Sequence, residues 1–477
     1  MGAMRWLVLA VCLAAVACSV TSSPAAESAS DDEGGEAVAE VEMELVWEST
    51  EALVERPEVR AAVDRLAAYG RIESAQIGEG GDASEVYQAY RELVEVASVE
   101  EVEALLRHES GAVRGYMVQH IVATQRESLP AVRPLLRDET AVDGQVGCIL
   151  GQGTLASRTV EALCGAGDVG DVLDMLEVAA GEAVPDELGG RAVVCVARER
   201  PERALSLARP LLGHSSGEVR RQAVAAFTVS GVMGEAGPVE ELADDEDRGV
   251  RAAVATAVAR LGGDPAVVEA LLADEDDYVR MIAGSGYVEM GRADESVVRG
   301  LLADSKPRVR NGVAEAMARH GVMVHLLEPL LQAPRPEGRI MQALAGREDR
   351  SLAPMMRRLL SAEGAYVRER ATAWLGQYGD ESDLPLLRDQ LDAPTIGERR
   401  QAAQALARRG DQQAVPLLES LLRSDDNPNG RVAAAEALVV IRGGEARGAL
   451  EAAVAAEDTW ARSVLLTILE GLDEGGR

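Results

Sequence analysis

Small and apolar residues recur along this chain in blocks separated by short polar turns, and each block opens near an arginine. These anchors are Arg220, Arg251, Arg280, Arg310, Arg339, Arg368, Arg399, Arg431 and Arg462, spaced 29 to 32 residues apart. A leucine pair stands eight or nine residues before the anchor in the clearest units, as in Leu271-Leu272, Leu301-Leu302 and Leu359-Leu360. A polar stretch such as Ala273-Asp274-Glu275-Asp276-Asp277 follows, and then a run such as Val250-Arg251-Ala252-Ala253-Val254. Eleven residues beyond the anchor stands Gly231, Gly262, Gly291, Gly321, Gly379 or Gly410. Glycine just past an apolar run marks a helix C-terminus, because it takes the left-handed conformation that caps the last turn. The unit therefore predicts helix, polar turn, helix, glycine.

One such pair cannot bury its apolar face alone, so stacking neighbours must complete the core. Alanines let the second helices approach closely, and paired leucines of the first helices fill the layer between them. The anchor arginine sits in the first turn of its helix, where the macrodipole disfavours a cation. A carboxylate or carbonyl of the adjoining turn is expected to compensate, as a ladder along the stack through Arg220, Arg251, Arg280, Arg310, Arg339, Arg368, Arg399 and Arg431.

The Leu-Leu, Asp, Val-Arg, Ala and Gly units, clearest from Leu211 to Gly410, resemble HEAT repeats, in particular the short form of the bilin-lyase-like HEAT proteins. The resemblance implies an all-α, right-handed solenoid of stacked helix pairs, about twelve units over 98–477. Earlier anchors read as Arg114, a degenerate Gln145-Val146 and Arg191. The long interval from Gln145 to Arg191 places an insertion and irregular packing near 150–190. Helical patterning over Val41–Glu55 and Pro57–Gly70 marks an N-terminal cap region, 41–97, and Arg60 resembles another anchor.

The amino terminus has a different chemistry. Arg5 precedes an apolar run from Leu7 to Val16, too short to span a bilayer and suited to a signal peptide over 1–17. Ala15-Val16-Ala17-Cys18 resembles a bacterial lipobox, with Cys18 as the lipid attachment site; ordinary cleavage and secretion is the alternative. Ser19 after the cysteine is similar to outer-membrane lipoproteins facing the periplasm or cell surface. Residues 18–40, with Asp31-Asp32-Glu33-Gly34-Gly35-Glu36, read as a disordered acidic tether. About twenty such residues reach roughly 25 Å.

The formal charge of −32 argues against nucleic acid, whose affinity comes from neutralising phosphates, and against adsorption to anionic lipid. Lys306 is the only lysine, and aromatics make up 3% of the chain, so any contact surface is polar. Cys148, Cys164 and Cys195 show no metal-ligand spacing; buried thiols and a disulfide between two of them both fit. His108 and His214 share one slot, six residues before an anchor, and read as turn residues. Asp425–Glu436 satisfies a calcium-loop pattern through Asp425, Asn427, Asn429 and Glu436, but the repeat accounts for the same residues as an acid-rich turn. Acidic turns such as Asp244–Asp247 and Asp274–Asp277 would form a negative ridge. No catalytic residue, cofactor or metal site is assigned. These readings converge on a non-catalytic scaffold of the cell envelope that binds a protein partner and meets the membrane only through its anchor. The alternatives are an enzyme or accessory factor of the bilin-lyase-like class and an elastic envelope element.

Overall fold

Each unit of the structure, a computed structural model, is written in a few local signals. Asp264 accepts the N–H of Ala266, Pro265 opens the helix Pro265–Leu271, and Val268 and Leu271 are buried. Proline suits that place because its fixed φ is pre-organised and its missing N–H would have no partner there. Asp276 then caps the longer helix Asp277–Glu289, which buries Val279, Ala283 and Val288. Proline recurs in the first turn of Pro201–Ala208, Ala353–Leu359, Leu384–Asp389 and Val415–Ser424. The structure describes residues 46–474, apart from 78–80, 148, 167–169, 182–185, 292, 335 and 458.

Second helices pack side by side from Gly111–Thr124 to Ala461–Glu474, and most also rest on the first helix of their own unit. They meet over small residues, as expected. A Cβ on Gly376 would lie 2.3 Å from that of Ala405, so any larger side chain would push the two helices apart. The expected all-α solenoid is the fold. Five of the six helix-ending glycines have positive φ; Gly379 is the exception, at −66°.

The amino-terminal part departs from the repeat. Four strands, β1 (Arg71–Ile77), β2 (Asp82–Ala83), β3 (Ala141–Gly147) and β4 (Ile149–Thr154), form a sheet in the order β2-β1-β3-β4. Strands β1 and β3 are parallel although about seventy residues separate them; the other pairs are antiparallel. The buried Tyr116 hydroxyl locks β1 to the helix Gly111–Thr124, donating to the Glu73 carbonyl and accepting the Glu73 N–H.

The amino-terminal part corrects three expectations. Gln145-Val146 lies on β3 and is not an anchor; the helix of that unit is Leu155–Gly165. The insertion is thus the β3–β4 hairpin at 141–154, and 155–208 returns to successive helices. Residues 41–45 lie outside the described residues, and within Val46–Glu55 only Thr50–Leu53 is helical; Glu48 instead bridges His108. Of the cysteines, Cys164 and Cys195 form a disulfide between second helices of consecutive units.

Candidate functional site

The anchor arginines line the turns that open the second helices. Arg251 shows the full arrangement. Its Nη1 donates to the carbonyls of Asp245 and Glu246, at 2.8 and 3.3 Å, in the turn just before its own helix. Its Nε and Nη2 donate to both carboxylate oxygens of Asp274, in the next turn, at 2.7 and 3.0 Å. Asp274 in turn accepts the N–H of Asp276 and offers its carbonyl to Arg280. One aspartate, six residues before an anchor, therefore shapes its turn, docks its own arginine and pairs with the previous one. Bidentate arginine–carboxylate contacts of this kind are the strong, directional ones.

The same cycle joins Arg220 to Asp245, Arg280 to Asp304 and Arg399 to Asp425. Arg431 pairs with Glu457 at 2.6 and 2.9 Å. The Arg431 guanidinium, followed by the Thr459 hydroxyl, holds the Glu457 carboxyl at about 2, against burial. Arg251 and Arg280 likewise hold the carboxyls of Asp274 and Asp304 below their ordinary value. Arg114 is the most enclosed member. It donates to Asp138, Thr140 and the carbonyls of His108 and Glu109, with its guanidinium 3.7 Å from the Trp47 ring centroid.

Other anchors differ. Residues 333, 362 and 393, in the slot that holds aspartate elsewhere, are alanines. The carbonyl role survives at two of the three, for Arg368 still docks on Ala362 and Glu363, and Arg399 on Ala393 and Pro394. Their carboxylate role does not. For Arg368 the acid comes instead from the buried Glu398, in the first turn of the following helix Ile396–Arg408. Arg310 keeps only the Asp304 carbonyl, at 2.6 Å, and exposed Arg339 has no hydrogen bond or ion pair among the described residues. Arg191 reaches Glu161 across the surface.

Histidine fills the slot at His108 and His214, where Nδ1 accepts the N–H two residues on, as the aspartate oxygen does. His108 Nε2 meets Thr50 in a buried contact, and burial lowers the ring's pKa. The acidic turns are much less free than their sequence implies: Asp245, Asp274 and Asp304 serve the ladder, and Asp247 and Asp276 cap helices. The calcium-loop geometry is absent. The carboxylate of Asp425 is taken by Arg399, and Asn429 and Glu436 lie along one helix, Pro428–Arg442, about 10 Å apart. Among the described residues no group of three or more His, Cys, Asp or Glu side chains could hold a metal, and no helix is long and apolar enough to cross a membrane. Cys18 lies outside the described residues.

The sequence reading missed a second set of cross-repeat pairs, on the first helices. Arg357 pairs with the buried Asp383 and Arg388 with Asp411. Their separations of 26 and 23 residues were a usable signal, a little under one period. Second helices are also tied at both ends, through Arg248–Asp276 at their starts and Arg260–Glu289 in their last turns.

A family model for HEAT repeats matches residues 211–287, 323–404 and 393–470. These segments carry HEAT repeats. The match is to HEAT repeats as such and does not single out the short bilin-lyase-like form. Among curated proteins none matches the chain in sequence. Solved structures with some likeness include an engineered protein, 17% identical over 82% of this chain and 98% of its own, with a TM-score of 0.29. Kap95 in complex with Nup1 is 13% identical, with a TM-score of 0.40, over 89% of this chain and 63% of its own. Kap121p bound to RanGTP is 11% identical, with a TM-score of 0.48, over 79% of this chain and 48% of its own. At these scores the likenesses add nothing to the repeat match.

Proposed function

We propose that this chain is a non-catalytic protein-binding scaffold of a bacterial cell envelope, held to the membrane through lipid on Cys18. The observation that carries the binding role is the continuous row of second helices, most of them pinned at their turns by arginine–carboxylate pairs. A surface so constrained loses little entropy on binding, and its mixed charge suits a polar partner. Two features support the address: the lipobox-like Ala15-Val16-Ala17-Cys18 and the Cys164–Cys195 disulfide, since disulfides persist in oxidising compartments.

The test expresses the chain with its own leader in a Gram-negative host. A mature chain beginning at diacylglycerol-modified Cys18, with Cys164 and Cys195 inaccessible to alkylation until reduced, is the expected result. An unmodified Cys18 terminus would leave a soluble exported scaffold, and an intact Met1 with free thiols would remove the envelope setting. Crosslinking in intact cells then examines the scaffold role: recovery of no defined partner contradicts it.

A further inference from the structure

We propose that Arg310 and Arg339 form a gap in the arginine ladder that takes carboxylate side chains from an acidic peptide of a partner protein. This rests on the scaffold reading and names the chemistry of one of its contacts. The argument starts from the chain's own precedent. Six anchors, Arg220, Arg251, Arg280, Arg368, Arg399 and Arg431, each receive a carboxylate from the next unit. Arg310 and Arg339 occupy the corresponding sequence position in successive repeats and, among the described residues, receive none.

The cause is legible. The residues that would supply the acid are Ala333 and Ala362, and neither turn has a substitute like Glu398. Nearby carboxylates are committed elsewhere: Asp304 pairs with Arg280, and Glu337 accepts Asn311 Nδ2 at 3.3 Å. Arg310 is already aimed by its bond to the Asp304 carbonyl and is half-buried, so its Nε and Nη2 are oriented before any ligand arrives.

The surroundings agree in sign and shape. The only lysine of the chain, Lys306, precedes the Arg310 helix, and Arg308 is exposed there. Tyr366, 45% exposed, stands over the start of the helix Gly338–Ala345, for a Cβ on Gly338 would lie 3.6 Å from its ring. A chain of net charge −32 repels acidic peptides in general. Binding of one therefore reports a local site, and the internal ligand of this slot is a carboxylate.

The full chain is titrated against a fluorescein-labelled decapeptide of alternating Glu and Gly, with the Gln and Gly peptide as control, at about 0.15 M salt, where the Debye length is about 8 Å. Wild type binds the Glu peptide saturably in preference to the Gln peptide. The double variant Arg310→Gln, Arg339→Gln weakens this by about tenfold or more. Ala333→Asp, which supplies the missing acid within the chain and leaves both arginines in place, weakens it as well. Arg260→Gln, on the opposite end of a second helix, does not. Equal affinity in the double variant and wild type, or equal affinity for the two peptides, overturns the proposal. A crosslinked partner whose recovery none of these variants changes also overturns it, while leaving the scaffold reading intact. A peptide site that responds as expected, with no partner recovered in cells, would instead count against the scaffold.

Discussion

The turn at Asp274–Asp277 and the turn at Gln332–Glu337 open second helices two units apart, yet only the first is closed by an ion pair across the repeats. The difference begins with one side chain, Asp274 against Ala333. Carbonyl docking continues where the slot is alanine, as at Ala362 and Ala393, so the backbone of the turn does not require the acid. Helix pairs form on both sides of the gap, driven by burial of Val309, Val313 and Met317 on one side and Ile340, Met341 and Leu344 on the other. The carboxylate is thus a separable addition to a fold that core packing already specifies. The helix Gly338–Ala345, which opens at the gap, is eight residues long where Asp277–Glu289 has thirteen.

The comparison is broken most severely by opening a closed turn. Asp274→Ala strands the Arg251 guanidinium, which is only 13% exposed, and removes the acceptor for the Asp276 N–H. A loss of about 3–5 kcal/mol is expected from urea unfolding, because a nearly buried charge is left without its partner. A smaller loss comes from acid. The Glu457 carboxyl titrates at about 2 when folded, against an ordinary 4.5, so its contribution is fully present above about pH 4.5 and disappears as pH falls towards 2. On the order of 3 kcal/mol is at stake. Hydrogen exchange in Ala461–Glu474 should rise over that interval, and Glu457→Gln should flatten the pH dependence.

Smaller effects sharpen the contrast. Ala333→Asp closes the open turn onto Arg310 and should raise stability by about 1 kcal/mol, visible as a higher midpoint in urea. Arg339→Ala, at an exposed side chain with no ion pair among the described residues, should stay within about 0.5 kcal/mol of wild type. If it costs as much as Asp274→Ala, the distinction between closed and open turns is wrong.

The repeat was readable because its signals are local. Leucine pairs, anchor arginines and terminal glycines recur at fixed offsets, and helix periodicity and capping act over a single turn or two. The position of the ladder arginines was readable for the same reason. Which acid each one meets was not: Asp274 lies 23 residues from Arg251 and Glu398 lies 30 from Arg368, and only the stacking offset of neighbouring units selects between such candidates. The sheet escaped for a related reason. Parallel pairing of β1 with β3 joins Arg71–Ile77 to Ala141–Gly147, and a seven-residue stretch carries no mark of so distant a partner.

By itself, then, the order of residues determined the helix pair, its period and the stacked architecture, because a helix with one apolar face must find a neighbour and every unit offers the same one. Only the tertiary structure decided that Cys164 meets Cys195, that Asp425 serves Arg399, and that Arg310 and Arg339 meet no carboxylate among the described residues. Those outcomes depend on how far one repeat slides and rotates over the next. Close packing of whole helices sets that offset, and no short stretch of sequence contains it.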